Sequence, residues 1–191
     1  MPEALAYEDF VARNSGYISA ETQAKIRKTR LLIAGCGIGS SVAICAARTG
    51  FENFVLVDGD VVDGHNLNRQ FYDNADIGQP KVLALKDKIL RINPNARIEA
   101  IEAYLNEDNT DAIVSSADMV FDTIDFLDLP AILRLHTSAR LQHKPVFTAL
   151  SVGFGALVWY FPADTKHPLP DILATDVARA TQETSAPPSY A

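Results

Sequence analysis

The segment 31–47 contains no charged residue, and its internal order constrains the fold more than any other part of the chain. It opens with a continuous aliphatic run at 31–34, which is typical of a buried parallel strand. Glycines follow at 35, 37 and 39, and small residues then continue to Gly50, the pattern of a helix closed by a glycine cap. The length approaches that of a membrane span, but the central Gly and Ser residues favour a strand, a turn and a helix.

The rest of the chain alternates apolar strand patterns with helical ones. Further strands are predicted at 54–57, 97–103, 118–122, 145–150 and 156–161, and helices at 81–92, 106–115 and 129–142. This alternation predicts an α/β, Rossmann-like fold with a mostly parallel sheet and helices on both faces. We expect an N-terminal helical segment over 1–30, a nucleotide-binding domain over 31–161, and a Pro-rich tail or truncated continuation over 162–191.

The composition argues against several partners and locations. The formal net charge of -7 opposes a phosphate backbone, so no nucleic acid partner is expected. The two cysteines, Cys36 and Cys45, have no metal-binding spacing, and we expect both to be packed small residues. No signal peptide is apparent at the N-terminus, and we expect a cytoplasmic protein that does not associate with membranes.

The glycine turn suits a phosphate-bearing ligand. Glycines let the backbone approach a ligand closely, and the helix that follows offers free N–H groups at its start. Asp58 ends the second strand, where a carboxylate can bind a ribose hydroxyl. On this evidence alone the ligand could be NAD, FAD or ATP, and a tight turn without a ligand is also consistent.

Two cations after the second strand narrow the choice of ligand. Arg69 lies between Asn68 and Gln70 in a long loop, and Lys81 begins the next predicted helix. A guanidinium binds phosphate oxygens in a fork, and an ammonium acts as a compact positive charge. We therefore expect these side chains at a triphosphate, although each could instead be a solvated surface charge.

A set of motifs makes the chain similar to one family. The loop has the pattern D-x-D-x-V-x-x-x-N-L-N-R-Q, then I-G-x-x-K, R-I-N-P-N at 91–95 and D-T-I-D at 122–125. This set resembles the ThiF/MoeB/E1 superfamily over roughly residues 10–161. The resemblance implies an adenylyltransferase that uses ATP and Mg²⁺ to adenylate a carboxylate and releases pyrophosphate. The acceptor would be the C-terminus of a ubiquitin-like or sulfur-carrier protein, a peptide or a small molecule.

The resemblance also implies roles for individual residues. Those expected at the nucleotide are Gly35, Gly37 and Gly39 along its length, Asp58 at the ribose, and Asn66, Arg69, Gln70 and Lys81 at the phosphates, with assistance from Asp60. Asp125 would help to hold Mg²⁺. Arg13 would reach the phosphates bound by a neighbouring subunit, which implies a homodimer.

Three departures from the family pattern leave other functions open. The glycine turn is one residue shorter than usual, Phe126 replaces the usual Asn after Asp125, and no cysteine follows Cys45. Thioester or persulfide transfer is therefore not expected of this chain. The alternatives are a catalytically impaired relative that binds nucleotide or dimerises, and an NAD-dependent oxidoreductase.

Overall fold

The computed structural model describes residues 5–152 and 155–172 and contains one sheet. Its six strands are β1 Arg30–Ala34, β2 Asn53–Val57, β3 Arg97–Ile101, β4 Met119–Asp122, β5 Val146–Val152 and β6 Gly155–Phe161. Their order across the sheet is β3-β2-β1-β4-β5-β6. Strands β1 to β5 pair in parallel, and β6 is antiparallel to β5. The predicted fold class is confirmed.

Helices cover both faces of this sheet. They are α1 Tyr7–Phe10, α2 Ala20–Lys28, α3 Gly39–Thr49, α4 Lys81–Ile92, α5 Thr110–Ser115 and α6 Leu129–Leu141. Successive strand residues point to opposite faces, so β1 contributes to two cores. Leu31 and Ile33 pack with apolar residues of α3 and α4, whereas Leu32 packs with those of α5 and α6.

Some predicted boundaries and burials were wrong. Strand β3 ends at Ile101, and α5 begins at Thr110. The intervening Asn106 accepts hydrogen bonds from the backbone N–H groups of residues 108 and 109, which forms a turn where a helix was expected. Cys45 is exposed rather than packed, because it lies on the outer side of α3, away from the buried positions 43, 44 and 47.

The N-terminal segment packs against the far end of α3. Gly50 ends this helix with a φ of 110°, and the Tyr7 hydroxyl donates to its carbonyl oxygen at 2.9 Å. The Asn14 amide donates to the carbonyl oxygen of Thr49 at 3.0 Å. Arg13 therefore lies near the amino ends of the parallel strands, whereas the glycine turn lies at their carboxyl ends.

The division of the chain into domains stays a prediction. In the described part of the expected tail, 162–172, Leu169 is buried in the core cluster that includes residues of α6. Residues 173–191 lie outside the described part of the chain. No helix among the described residues combines the length and apolar character needed to cross a membrane.

Candidate functional site

A cavity of about 500 Å³ opens at the carboxyl ends of the parallel strands. The strand order reverses between β1 and β4, which is where ligands bind in open α/β sheets. The residues that line the cavity are Gly35, Gly37, Ile38, Val57, Asp58, Asp60, Arg69, Gln70, Lys81, Ala103, Tyr104, Leu105, Thr123, Ile124, Asp125, Phe126, Asp128, Ala131, Ala149, Leu150 and Ser151. The cavity thus brings together eight of the residues predicted for the site: Gly35, Gly37, Asp58, Asp60, Arg69, Gln70, Lys81 and Asp125.

The glycine turn packs against the loop after β4. Gly35 has a φ of 87°, and a Cβ there would lie 2.5 Å from the carbonyl oxygen of Thr123. The Thr123 hydroxyl lies 2.9 Å and 2.6 Å from the carbonyl oxygens of Ala34 and Gly35. Gly39 is buried, and a Cβ at this position would clash with Thr123. Close packing therefore requires Gly35 and Gly39, which leaves Gly37 as the glycine that faces the cavity without such a clash.

Asp58 already binds the glycine turn. Its Oδ2 accepts the Cys36 backbone N–H at 2.6 Å, and its Oδ1 accepts the Asp60 N–H at 2.8 Å. Burial raises the pKa of Asp58, and the Asp60 N–H and the charge of Lys81 offset part of that rise. Each carboxylate oxygen has a second lone pair, so a ribose hydroxyl can bind without displacing the turn.

The first cation of the site is Lys81, the first residue of α4. Its side chain is only 7% exposed, and Nζ lies 2.7 Å from Oδ2 of Asp60. The Tyr104 hydroxyl donates to the other oxygen of the same carboxylate. Burial alone would raise the pKa of Asp60, but the hydrogen bonds from Lys81 and Tyr104 outweigh it and lower the pKa. An ammonium has three donors, so Lys81 keeps donors for an anion in the cavity.

The second cation is Arg69, which follows a 3₁₀ turn over 64–66. Its Nη1 donates to the carbonyl oxygen of His65 at 2.9 Å and to Oδ1 of Asn68 at 3.1 Å. These bonds anchor one side of an otherwise exposed guanidinium that lines the cavity. The remaining N–H groups of Arg69 can then donate to a ligand.

Gln70 carries a buried side-chain oxygen that no protein group satisfies among the described residues. Its Oε1 is the buried side-chain atom without a hydrogen-bond partner among the described residues. The amide lies over Gly37, where a Cβ would be 3.2 Å from Nε2. Buried polar atoms normally have partners, so this orphaned amide oxygen is consistent with a ligand donor beside the glycine turn.

Two carboxylates come from the loop between β4 and α6. Asp125 Oδ1 accepts the Leu127 N–H at 3.0 Å, and Asp128 Oδ1 accepts the Ala131 N–H at 3.2 Å as the cap of α6. Residues 5–152 and 155–172 contain no group of three metal-binding side chains. Mg²⁺ commonly binds one or two carboxylates together with phosphate oxygens and waters, so this pair fits such an ion beside a nucleotide.

Three of the predicted residues are not among those that line the cavity. Besides Gly39, these are Asn66 and Arg13. Asn66 is buried, and its Oδ1 accepts the Asp63 N–H at 3.0 Å, which shapes the 3₁₀ turn before Arg69. Arg13 is separated from the cavity by the length of α3, whose 11 residues span about 16 Å.

The sequence interpretation overlooked several cavity residues, of which Tyr104 and Thr123 make the most informative contacts. Tyr104 lies against Gly59, where a Cβ would be 2.6 Å from its ring, and also contacts Asp60. Both residues follow the ends of parallel strands, β3 and β4. Both residues could therefore have been identified from the sequence by their position just after predicted parallel strands, where ligands bind in such sheets.

The buried cysteine of the turn is not a nucleophile in this arrangement. Cys36 is fully buried, and its Sγ lies 3.9 Å from the carbonyl oxygen of Val57. Burial raises the pKa of the Cys36 thiol well above its usual range, and the charge of Asp58 adds to the rise. A high pKa and the lack of solvent access both suppress thiolate chemistry.

The fold and the cavity define a Rossmann-like α/β protein, with a glycine turn at the point where the strand order reverses. The ThiF family profile matches residues 11–186, and the chain belongs to this family. It is 35% identical over 105 residues to the molybdopterin-synthase adenylyltransferase of Escherichia coli, covering 54% of this chain and 42% of the relative. It is 29% identical over 140 residues to the sulfur carrier protein ThiS adenylyltransferase of the same organism, covering 72% and 55%.

Solved structures support the same fold. The E. coli tRNA N6-threonylcarbamoyladenosine dehydratase, in complex with AMP, superposes with a TM-score of 0.70 at 24% identity. The match covers 74% of this chain and 58% of that one. This chain therefore spans about half the length of the relatives it matches.

Proposed function

We propose that this chain uses ATP to adenylate a carboxylate and releases pyrophosphate. The observation that carries the proposal is the convergence of Arg69, Lys81 and the glycine turn on one cavity at the carboxyl edge of the sheet. A cavity of about 500 Å³ with a glycine-lined wall accommodates a ligand of nucleotide size. The names of the two curated relatives, both adenylyltransferases, support the same reaction class.

The proposed reaction makes modest demands on the protein. A carboxylate oxygen attacks the α-phosphorus of ATP, the bond to the β,γ-pyrophosphate breaks, and the acyl-adenylate forms. The attacking carboxylate is ionised at neutral pH, so no general base is needed. The protein must align the two reactants and neutralise charge on the leaving pyrophosphate. Arg69 and Lys81 would supply that neutralisation, and Asp58 would hold the ribose.

Mg²⁺ is part of the proposal because Asp125 and Asp128 line the same cavity. When bound, the ion would neutralise phosphate charge and orient the leaving group. Asp125 would hold it, with Asp128 close by in the same loop. The Asp125 carboxylate has one oxygen that accepts the Leu127 N–H, which orients the group before any ion arrives.

The acceptor and the assembly are also proposals. The name of one relative, the sulfur carrier protein ThiS adenylyltransferase, favours a sulfur-carrier protein as the acceptor. The C-terminus of a ubiquitin-like protein, a peptide or a small carboxylate fits the same reaction. A homodimer would explain Arg13, which lies near the opposite end of α3 from its own cavity and could serve only a neighbouring one. Light scattering should give twice the chain mass, and a strict monomer would remove Arg13 from the site. We expect the assembly to act in the cytoplasm.

Pyrophosphate release with ATP, Mg²⁺ and a panel of carboxylate acceptors tests the reaction. Thermal-shift titration separates the alternatives, because a ligand at a hundredfold excess over its Kd stabilises the fold by about 2.7 kcal/mol. Stabilisation by ATP–Mg²⁺ with acceptor-dependent pyrophosphate release supports adenylation. Stabilisation by ATP without release would indicate the impaired relative. Stabilisation by NAD alone would indicate the oxidoreductase.

A further inference from the structure

A buried polar network lies behind the cavity wall and takes no part in the proposed chemistry. It consists of Asp122 at the end of β4, His136 in α6 and Thr148 in β5, which are 1%, 3% and 3% exposed. His136 Nε2 lies 3.0 Å from Asp122 Oδ2 and 2.9 Å from Thr148 Oγ1. Thr148 Oγ1 lies 3.1 Å from the same Asp122 oxygen. The three side chains thus form a closed triangle of hydrogen-bonding atoms.

The network joins the strand and the helix that flank the loop carrying Asp125. At the first end, Asp122 Oδ1 accepts the Ile124 N–H at 3.3 Å, which turns the chain as it leaves β4. At the other end, His136 belongs to α6, the helix that Asp128 caps. Between them, the Asp125 carbonyl oxygen accepts the Asp128 N–H at 2.8 Å. The loop 123–128 is therefore held between a strand and a helix that the network connects.

Burying ionisable groups costs free energy of folding, and three apolar side chains of the same volume would avoid that cost. The presence of this network therefore needs an explanation other than stability. Asp122 Oδ2 accepts the Thr148 hydroxyl and also lies within hydrogen-bond distance of His136 Nε2, which permits one arrangement of β4, β5 and α6. The ring of His136 also packs perpendicular to the ring of Phe161, with centroids 5.2 Å apart, which limits its movement. The network thus fixes the positions of the elements on either side of loop 123–128.

We propose that Asp122, His136 and Thr148 are positioning residues that fix the carboxylate of Asp125 for the adenylation step, an inference that rests on the proposed function. They touch neither nucleotide nor acceptor. They act by holding β4 and α6, the elements on either side of loop 123–128, at fixed positions. Loss of one contact should therefore impair the step that uses Asp125 while leaving nucleotide binding by Arg69 and Lys81 intact.

Thr148→Val tests this idea, because it removes the hydroxyl with little change of shape. We expect kcat for pyrophosphate exchange to fall roughly tenfold, the loss associated with one buried hydrogen bond, while KM for ATP stays within about twofold. Thr148→Ser should restore kcat, because it restores the hydroxyl. Thr137→Val is the matched control, since its exposed hydroxyl bonds only the carbonyl oxygen of Leu133 in α6.

A double variant and hydrogen exchange distinguish positioning from general support of the fold. Once Asp125→Asn has been made, Thr148→Val should cause little further loss of kcat. Amide protection should fall within 123–128 and stay unchanged in the glycine turn. Additive losses of kcat, or protection lost across the whole sheet, would overturn the proposal. If the wild-type chain shows no exchange activity, the proposed function fails, and unchanged protection at 123–128 would still refute the positioning role separately.

Discussion

Two lysines of α4 give a prediction that separates stability from activity. The substitution that costs more stability should cost less activity. Lys81 and Lys88 are both largely buried, with side chains 7% and 14% exposed, and both pair with carboxylates. Lys81 lines the cavity and pairs with Asp60, which is 47% exposed. Lys88 lies outside the cavity and pairs with Asp76, which is 8% exposed, at 2.7 Å. Lys88→Met is therefore a matched control for Lys81→Met.

The expected stabilities follow from the exposure of each carboxylate. Removing one partner of a buried pair costs about 3–5 kcal/mol, whereas exposed pairs contribute about 0–1 kcal/mol. Lys88→Met leaves Asp76 buried without its cation, and we expect a loss of about 3 kcal/mol. Lys81→Met leaves Asp60 half in solvent and still bonded to Tyr104, and we expect about 1–2 kcal/mol. Tm should fall by roughly 6–12 °C and 2–8 °C respectively, at about 2–4 °C per kcal/mol.

The expected activities have the reverse order. A hydrogen bond from a charged donor to phosphate contributes about 1.5–3 kcal/mol, so Lys81→Met should lower kcat/KM for ATP about 10- to 150-fold. The kcat/KM for ATP of the Lys88→Met variant should stay within about twofold of the wild-type value, when it is measured at a temperature well below the Tm of the variant. ATP–pyrophosphate exchange and thermal melting of the same samples provide the measurements. Equal losses of exchange activity in both variants, or full activity in Lys81→Met, would refute the phosphate-binding role of Lys81.

The other predictions concern the same cavity. Arg69→Ala should lower exchange about 100-fold with Tm within about 2 °C of wild type, whereas the exposed Arg91→Ala should change neither. Gly35→Ala should cost more than about 2 kcal/mol in urea unfolding, because φ is 87° and the new Cβ meets a backbone carbonyl; an unchanged midpoint would contradict this. The lowered pKa of Asp60 means that its ion pair stabilises the fold above pH ~4, the unfolded value, and this contribution is lost as pH falls through the folded pKa. Tyr104→Phe should shift that loss to higher pH, and an identical acid profile would exclude the contact.

Local patterns in the sequence were sufficient to predict most of the fold. Helix α4 matches its predicted range of 81–92, because apolar positions at helical spacing lie between Pro80 and Asn93. Strand β1 was recognisable from its continuous apolar run, since both faces of a central strand are buried. A helix was predicted over 106–109, where the structure has a turn. The Asn106 side chain accepts a hydrogen bond from the Asp108 backbone N–H, and this bond competes with helix formation.

The site was only partly predictable from the sequence. A short motif identifies candidate residues, but it does not show which of their side chains point into the cavity. Asn66 precedes Arg69 by three residues, yet its side chain is turned inward to cap a 3₁₀ turn while Arg69 lines the cavity. Tyr104 and Thr123 line the cavity because the strand order places the carboxyl ends of β3 and β4 near the glycine turn. Their contribution depends on pairing between segments far apart in the chain, which a linear motif does not contain.

The most direct test of the central claim is a crystal structure of the protein with ATP and Mg²⁺ bound. The account predicts the triphosphate across the glycine turn, with Lys81 Nζ and the Arg69 guanidinium at about 2.7–3.2 Å from phosphate oxygens. It also predicts Asp58 at the ribose. Phosphates bound away from the turn, with both cations still directed at their protein partners or at solvent, would contradict it.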